Sequence, residues 1–485
     1  MQSTRPLKSK ILSLWLGVVA AHASSLAMAP FLVMAPSHAL AQAPDAGVQA
    51  KASAGTIHEA PVIIKAQQLR QLSNFPVQSY RLFKTDPSGL AIPIPFQIDE
   101  MNEWGDFVLD KGSGASYAVG NGIFDQLDEL SLMGNDIGSL TSPSRWGTNK
   151  PNQLYKIEFS FSGNKLELKE IDKNAASPVQ GAVFLGVYFA NPPELSKKWY
   201  VKFDLPEAQV TTDRYRYRFN KDNYLIVRGV EVAHKTEGGE YEFAPLLDAS
   251  AFYLNVDMKF FLSMEIGAYD VKSKLEAYKM GPIRSIVRVS FNYELLRLKF
   301  DLGMYTEVSF FANAVFLPAV FFNPLNGPTR LNKGSGFYYG FSLVDSPRTL
   351  NIDTNLGQYV TPEKQNSGKD SGASAHYWIA AKGENEFFYL RLIPSAQMRK
   401  VKYTPAFYYE DKTSVELQSR SKSKAQPLGK SPVNLAMYFD LSKFDEGEHL
   451  MTFQLYFENK QSDRMIHSIK TLHQWMFNAS RLEAY

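Results

Sequence analysis

Apolar and polar side chains alternate along most of this chain with a period of two, the period of a strand that lies with one face on a core. In "QLYKIEFSFSG", Tyr155, Ile157, Phe159 and Phe161 fall on one face, and Lys156, Glu158 and Ser160 on the other. Similar short runs, rich in β-branched and aromatic residues, recur as "APVIIKA", "QSYRLFKT", "LAIPIPFQID", "GAVFLGVYFA", "KKWYVKFDL" and "DRYRYRFN", with turn residues between them. Longer strands follow in 252–320. "GPIRSIVRVSFNYELLRLKF" opens on Gly281-Pro282 and alternates Val287, Val289 and Phe291 with Ile286, Arg288 and Ser290. "NLAMYFDLSKF" and "HLMTFQLYFENK" add strands near the end, and the Ser/Gly/Lys-rich stretches 363–373 and 419–432 read as surface loops. One late stretch has a helical rhythm, with Met465, Ile469, Leu472 and Met476 on one side. The pattern predicts an all-β protein, a large β-sandwich or supersandwich, with a short C-terminal helix over 465–480. An outer-membrane barrel is also a string of aromatic-rich strands, but these strands are short and irregular. Glu483, in phase with Tyr485, would also face lipid there.

Composition adds the compartment. Three basic residues, Arg5, Lys8 and Lys10, precede an apolar stretch, and Ala39-Leu40-Ala41 fits the small-x-small pattern of a cleavage site. Residues 1–41 therefore read as a signal peptide cleaved after Ala41, with an uncleaved anchor as the alternative. Residues 42–57 read as a flexible linker. The rest divides into an N-terminal β region, 58–175, and a main β-sandwich region, 176–485. With no cysteine, a lipid-modified N-terminus, disulfides and thiolate metal sites are excluded. No run of about 18 apolar residues follows the leader, so no transmembrane helix is expected after it. A net charge of +3 on 485 residues gives no argument for nucleic acid. The expected location is periplasmic or secreted.

Two acidic phrases stand out. "PFQIDEMNEWGDFVLDKG", 95–112, carries Asp99, Glu100, Glu103, Asp106 and Asp110, and "NGIFDQLDELSLMGNDIG", 121–138, carries Asp125, Asp128, Glu129 and Asp136. The second can be laid on a calcium loop, with Asn121 at the fifth position, Gly122 at the turn, Asp125 at the ninth and Asp128 at the twelfth, and Glu129 adjacent. Tyr117 and Val119 stand where the first and third ligands belong, so Asp99, Glu100 or Asp106 would have to supply the missing oxygens. The other reading is that Asp125 and Asp128 cap a turn leading into "ELSLM". Calcium held by Asn121, Asp125, Asp128, Glu129 and Asp99 and a capped turn both remain open.

The two phrases together, over 95–138, resemble a recurrent feature of uncharacterised exported proteins of Gram-negative-type bacteria. It consists of a P-F-Q-I-D-E strand, then G-D-[FY]-V, then D-x-x-D-E-L followed by D-x-G. That resemblance implies export and no particular activity. "GPIRSIVRV" is loosely similar to a strand of carbohydrate-processing β-supersandwich proteins akin to galactose mutarotase.

Other chemistry is sparse. There is no G-x-S-x-G, no H-E-x-x-H and no Gly-rich phosphate loop between a strand and a helix, and His467 and His473 are not at chelating spacing. "DRYRYRFN" interleaves Arg214, Arg216 and Arg218 with Tyr215, Tyr217 and Phe219. It reads as a track for acidic polysaccharide or as a half-buried strand with a solvated basic side. "HYWIAAKGENEFFYLRL", 376–392, reads as a hairpin turning at Gly383-Glu384, with Trp378 opposite Tyr389 and His376 opposite Arg391. His376, Trp378, Tyr389 and Arg391 then share a face suited to stacking on a sugar ring and gripping its hydroxyls, or else pack inside a sandwich. The function expected is binding or processing of a polysaccharide or other glycan of the cell envelope. The alternative is a non-enzymatic envelope scaffold or assembly protein with a protein partner.

Overall fold

The computed structural model describes residues 31–33, 60–161 apart from 148, 180–235, 241–323 apart from 260–262, 269–270 and 296–297, and 326–344 apart from 334. It also describes 351–354, 377–383, 387–394, 398–399, 405–409, 435–458 and 475–482. Among these residues the strands form four sheets, of nine, nine, three and six strands. The two large sheets make the sandwich, as the alternation predicted. The first runs, in spatial order, Val271–Met280, Arg284–Leu295, Leu298–Phe311, Ala314–Asn323, Gly447–Glu458, Phe387–Pro394, Tyr377–Lys382 and Asn351–Thr354, antiparallel throughout. The second contains Tyr215–Asn220, Asn223–Lys235, Tyr241–Asp257, Gly336–Leu343 and Leu435–Asp440 at its centre.

The sheets meet through one apolar core. Tyr217 packs edge-on against Phe310, Phe341 against Phe388, and Phe439 against Phe453. Each of these is the inward member of an alternating strand, so burying them fixes strand register: a slip of one residue would turn the whole set outward. No helix among the described residues is long and apolar enough to cross a membrane.

A smaller N-terminal unit packs its three-stranded sheet on its six-stranded one. Val62, Ile64, Leu130 and Leu132 of the former share a core with Tyr155, Ile157, Phe159 and Leu185 of the latter. Two expectations are corrected here. The division at 175/176 fails, because Gln180–Val187 pairs with both Gln153–Phe161 and Tyr80–Thr85 and so belongs to the N-terminal unit. The helix over 465–480 fails in its last third. Trp475–Leu482 is a strand paired with Gln153–Phe161, Met476 opposite Ser160 and Leu482 opposite Leu154. An open sheet edge offered this segment a full ladder of backbone hydrogen bonds, which outweighs the weak periodicity of a few apolar residues. Residues 465–474, the expected linker and both expected surface loops lie outside the described residues, as does the expected leader except Phe31–Val33, which pairs with Val320–Phe322.

Candidate functional site

Gln97–Asp99, from the first acidic phrase, pairs antiparallel with Glu129–Met133 from the second, and Asp99 falls opposite Glu129. Both carboxylates are buried. Two like charges placed this way repel unless a cation stands between them. The cation is Arg284, in the first large sheet. Its Nε lies 2.7 Å from Asp99 Oδ2 and its Nη2 2.8 Å from Glu129 Oε2, while Lys279 Nζ reaches Asp99 Oδ1 at 2.8 Å. Burial opposes the charge on Asp99, but the guanidinium and the ammonium beside it bring its pKa down to about 2.

Gln97 completes the joint. Its Nε2 donates to both Asp99 oxygens, at 2.8 and 3.0 Å, and its Oε1 accepts from the backbone N–H groups of Ile283 and Arg284 at 3.2 and 3.0 Å. That approach requires Gly281: a Cβ there would stand 2.0 Å from Gln97 Oε1. The P-F-Q-I-D-E and G-P-I-R motifs are therefore two halves of one contact.

Four residues on, Arg288 projects from the same face of its strand. It lies opposite Glu307 and binds it through Nε, at 2.8 Å, and Nη2. Between them they clamp the backbone of one residue of the first acidic phrase: Arg288 Nη2 donates to the Phe107 carbonyl at 2.8 Å, and the Phe107 N–H donates to Glu307 Oε2 at 3.2 Å. Next to Phe107, Asp106 accepts from the hydroxyl of Tyr305. The Tyr305 ring meets Tyr117 edge-on, centroids 5.6 Å apart, and the Arg288 guanidinium lies 5.0 Å from one ring centre and 5.1 Å from the other. Arg288 and Glu307 are buried, Tyr305 is half-buried and Tyr117 is 53% exposed. The pair of tyrosines thus opens to solvent over a buried ionic floor. Burial pushes Glu307 up to about 7 against the pull of Arg288. Burial, and then the hydrogen bond to Asp106, keep the Tyr305 hydroxyl protonated far above its ordinary range.

The proposed calcium ligands separate into two groups. Asn121 Nδ2 donates to Asp125 Oδ2 at 2.9 Å, and Asp128 accepts from the N–H groups of Met101 and Asp125, each at 2.8 Å. Glu100 lies with them, accepting from Gly122 N at 2.6 Å. These are turn-capping bonds. Burial, with Asp125 and Glu100 as neighbours, raises Asp128 to about 7. Asp99 and Glu129 sit apart from this loop, on Arg284, because Glu129 starts a strand and turns away from its neighbour Asp128. Among the described residues no group of three or more His, Cys, Asp or Glu is arranged to hold a metal.

The hairpin is corrected in register and in exposure. Trp378 lies opposite Arg391, Ala380 opposite Tyr389 and Lys382 opposite Phe387, so four residues, not two, connect the strands. A shift of two keeps every side chain on its expected face. Trp378 and Tyr389 do stack, centroids 5.5 Å apart, but Trp378 is 5% exposed and Tyr389 buried. Arg391 is 7% exposed and already held by Gln454 Oε1 and the Tyr456 hydroxyl, both at 2.8 Å. These side chains are packed inside the protein rather than open to a ligand; His376 lies outside the described residues. The basic strand is ordinary as well: Arg216 and Arg218 both bind Glu231, at 2.7 and 2.5 Å, while Tyr215, Tyr217 and Phe219 are buried.

Sequence reasoning marked the acids and missed their partners. An arginine recurring at i and i+4 on the face opposite Val287 and Val289 was the available signal for Arg284 and Arg288.

No protein-family model matches the chain, and no curated protein sequence matches it. Among solved structures, it is similar to an alpha-mannosidase from Enterococcus faecalis, with a TM-score of 0.39 and 10% identity over 88% of this chain and 45% of that one. It is also similar to a protein in the glycosyl hydrolase family 38 from the same organism, with a TM-score of 0.36 and 10% identity over 88% of this chain and 46% of that one. The chain spans less than half the length of either.

Proposed function

We propose that this chain is an exported carbohydrate-binding protein of the bacterial envelope or its surroundings. The glycan would be seated at Tyr117 and Tyr305. One observation carries the reading: two tyrosine rings, one of them largely open to solvent, are fixed edge to face over a buried arginine. Flat aromatic faces stack on the C–H faces of sugar rings, and a tyrosine hydroxyl at the rim offers a polar partner of the kind a sugar needs. The ionic pair beneath holds the rings still, which lowers the entropy lost on binding. The geometry favours binding over catalysis, because Tyr305 is held protonated and Glu307 is walled in behind Arg288.

The experiment is a glycan-array screen of the whole protein and of Tyr117→Ala. The exposed side chain can be removed without opening a cavity in the core. A bound glycan that Tyr117→Ala weakens by about ten-fold or more, the worth of one good aromatic contact, supports the reading. Binding that is unchanged in the variant overturns it.

A second reading, a non-enzymatic envelope scaffold, is favoured by Trp104, Val119, Ile123 and Leu127, all exposed within the acidic segment, Val119 at 78%. Under that reading no glycan binds, and crosslinking in envelope preparations gives a protein adduct that Leu127→Ser removes.

A further inference from the structure

We infer that the Tyr117–Tyr305 seat takes neutral or amino-bearing sugars and turns away acidic ones; this rests on the carbohydrate reading above. The argument is a balance of charge around the two rings. The only guanidinium beneath them among the described residues, Arg288, is already committed: Glu307 Oε1 binds its Nε and Nη2, and a backbone carbonyl, Phe107, takes a further Nη2 bond at 2.8 Å. Glu307 in turn spends its second oxygen on the Phe107 N–H. The third nitrogen, Nη1, approaches the Gly114 carbonyl at 3.5 Å, so every nitrogen of the fork faces an acceptor within the protein, whereas a carboxylated sugar would need two parallel free donors.

The remaining charge at the rings is negative. Asp106 accepts from the Tyr305 hydroxyl and, at 3.4 Å, from Asn102 Nδ2, and among the described residues it has no basic side chain within ion-pair distance. Two basic groups farther along the seam, both exposed, are directed at other partners. Lys274 lies 3.4 Å from Glu276, beneath Gly114, and Lys111 lies over the ring of Tyr278 at 5.9 Å. The aromatic faces point the same way, since the face of a tyrosine ring is the negative end of its quadrupole. A uronate would bring its carboxylate into the field of Asp106, which lies buried beneath with no basic partner among the described residues, and against the negative face of the exposed Tyr117 ring. A neutral hydroxyl would meet no such repulsion, and an ammonium would be drawn to the same field.

The test measures binding to the purified full chain of three sets of oligosaccharides: neutral gluco- and manno-oligosaccharides, chitosan oligosaccharides, and oligogalacturonates. Neutral or chitosan oligosaccharides are expected to bind about ten-fold or more tighter than oligogalacturonates of the same length, a difference of one close charge contact. Tyr117→Ala should abolish the preference along with the binding, and Asp106→Asn, which keeps the shape and removes the charge, should narrow it. If oligogalacturonates bind at least as tightly as the neutral set and still require Tyr117, the charge selection is wrong and the carbohydrate reading stands. If no set binds, or if Tyr117→Ala binds as the parent does, both fall.

Discussion

Arg284 does for Asp99 and Glu129 what a calcium ion was expected to do, and the difference can be measured. Its guanidinium is buried between two carboxylates and under the Phe107 ring, 4.7 Å from the ring centre. Arg284→Met would leave two buried anions with only Lys279 on Asp99. Removing one partner of such a network costs about 3–5 kcal/mol, because the charges left behind are uncompensated. Chemical denaturation should show that loss, whereas a triple change of Arg284, Asp99 and Glu129 to Met, Asn and Gln should recover part of it. Recovery of nothing would mean that the arginine acts by packing alone. In the same assay, millimolar calcium should leave the parent's melting temperature unchanged, since among the described residues no group of three or more acidic or histidine side chains is arranged to hold a metal; a rise would favour the calcium reading. The acids were legible as a cluster because they lie within 44 residues of sequence, 95–138. Their partners were not legible, because Arg284 lies 155 residues beyond Glu129 and 185 beyond Asp99.

At the scale of elements, the Gly281–Arg284 turn shows how little of a contact is carried by its charges. Gly281 N–H closes the turn on the Arg284 carbonyl at 3.1 Å, and the glycine leaves the space that Gln97 enters. In Gly281→Ala the new methyl would lie 2.0 Å from Gln97 Oε1 and 2.3 Å from its Cδ. Gln97 would have to withdraw from two buried backbone donors and from Asp99. A loss of about 2–3 kcal/mol is expected, from overpacking and unmade hydrogen bonds together. Gln97→Ala/Gly281→Ala should cost less than the sum of the two single changes, and additive losses would place the strain elsewhere. Elements were legible wherever one face was apolar: the alternation at Tyr155, Ile157 and Phe159 is the alternation of the structure, all three buried. The 376–392 hairpin was right in its faces and wrong in its pairing. Period two fixes a face, but only the loop fixes the register, and the sequence allowed both two and four residues there.

On the scale of the whole molecule, the N-terminal unit is closed by the far end of the chain, through Trp475–Leu482, and fastened to the sandwich by the ionic contacts of Lys279 and Arg284 with Asp99 and Glu129 and by the hold of Arg288 and Glu307 on Phe107. No local signal told the C-terminal segment which edge it would join, so the boundaries drawn along the sequence could not have found that unit. The fastening also sets how stability depends on pH. Glu307 sits among Arg288, Asp106 and Tyr305, and Asp128 among Asp125 and Glu100; burial raises both to about 7. A carboxyl whose folded pKa is above its unfolded value prefers to be protonated in the folded state. Its penalty is therefore full above pH 7 and is relieved as the pH falls toward its unfolded pKa of about 4. Asp99 has the opposite sign. Its stabilisation is present above about pH 4 and is lost as the pH falls through its folded value of about 2. The melting temperature should accordingly rise from pH 8 to pH 5 and drop below pH 4. Glu307→Gln, which is neutral at every pH, should make the alkaline limb about half as steep, Asp128 supplying the rest, and leave the acid limb in place. A melting temperature highest at pH 8, or an alkaline limb as steep in the variant as in the parent, would show that Glu307 is ionised in its pair with Arg288 and does not set that limb.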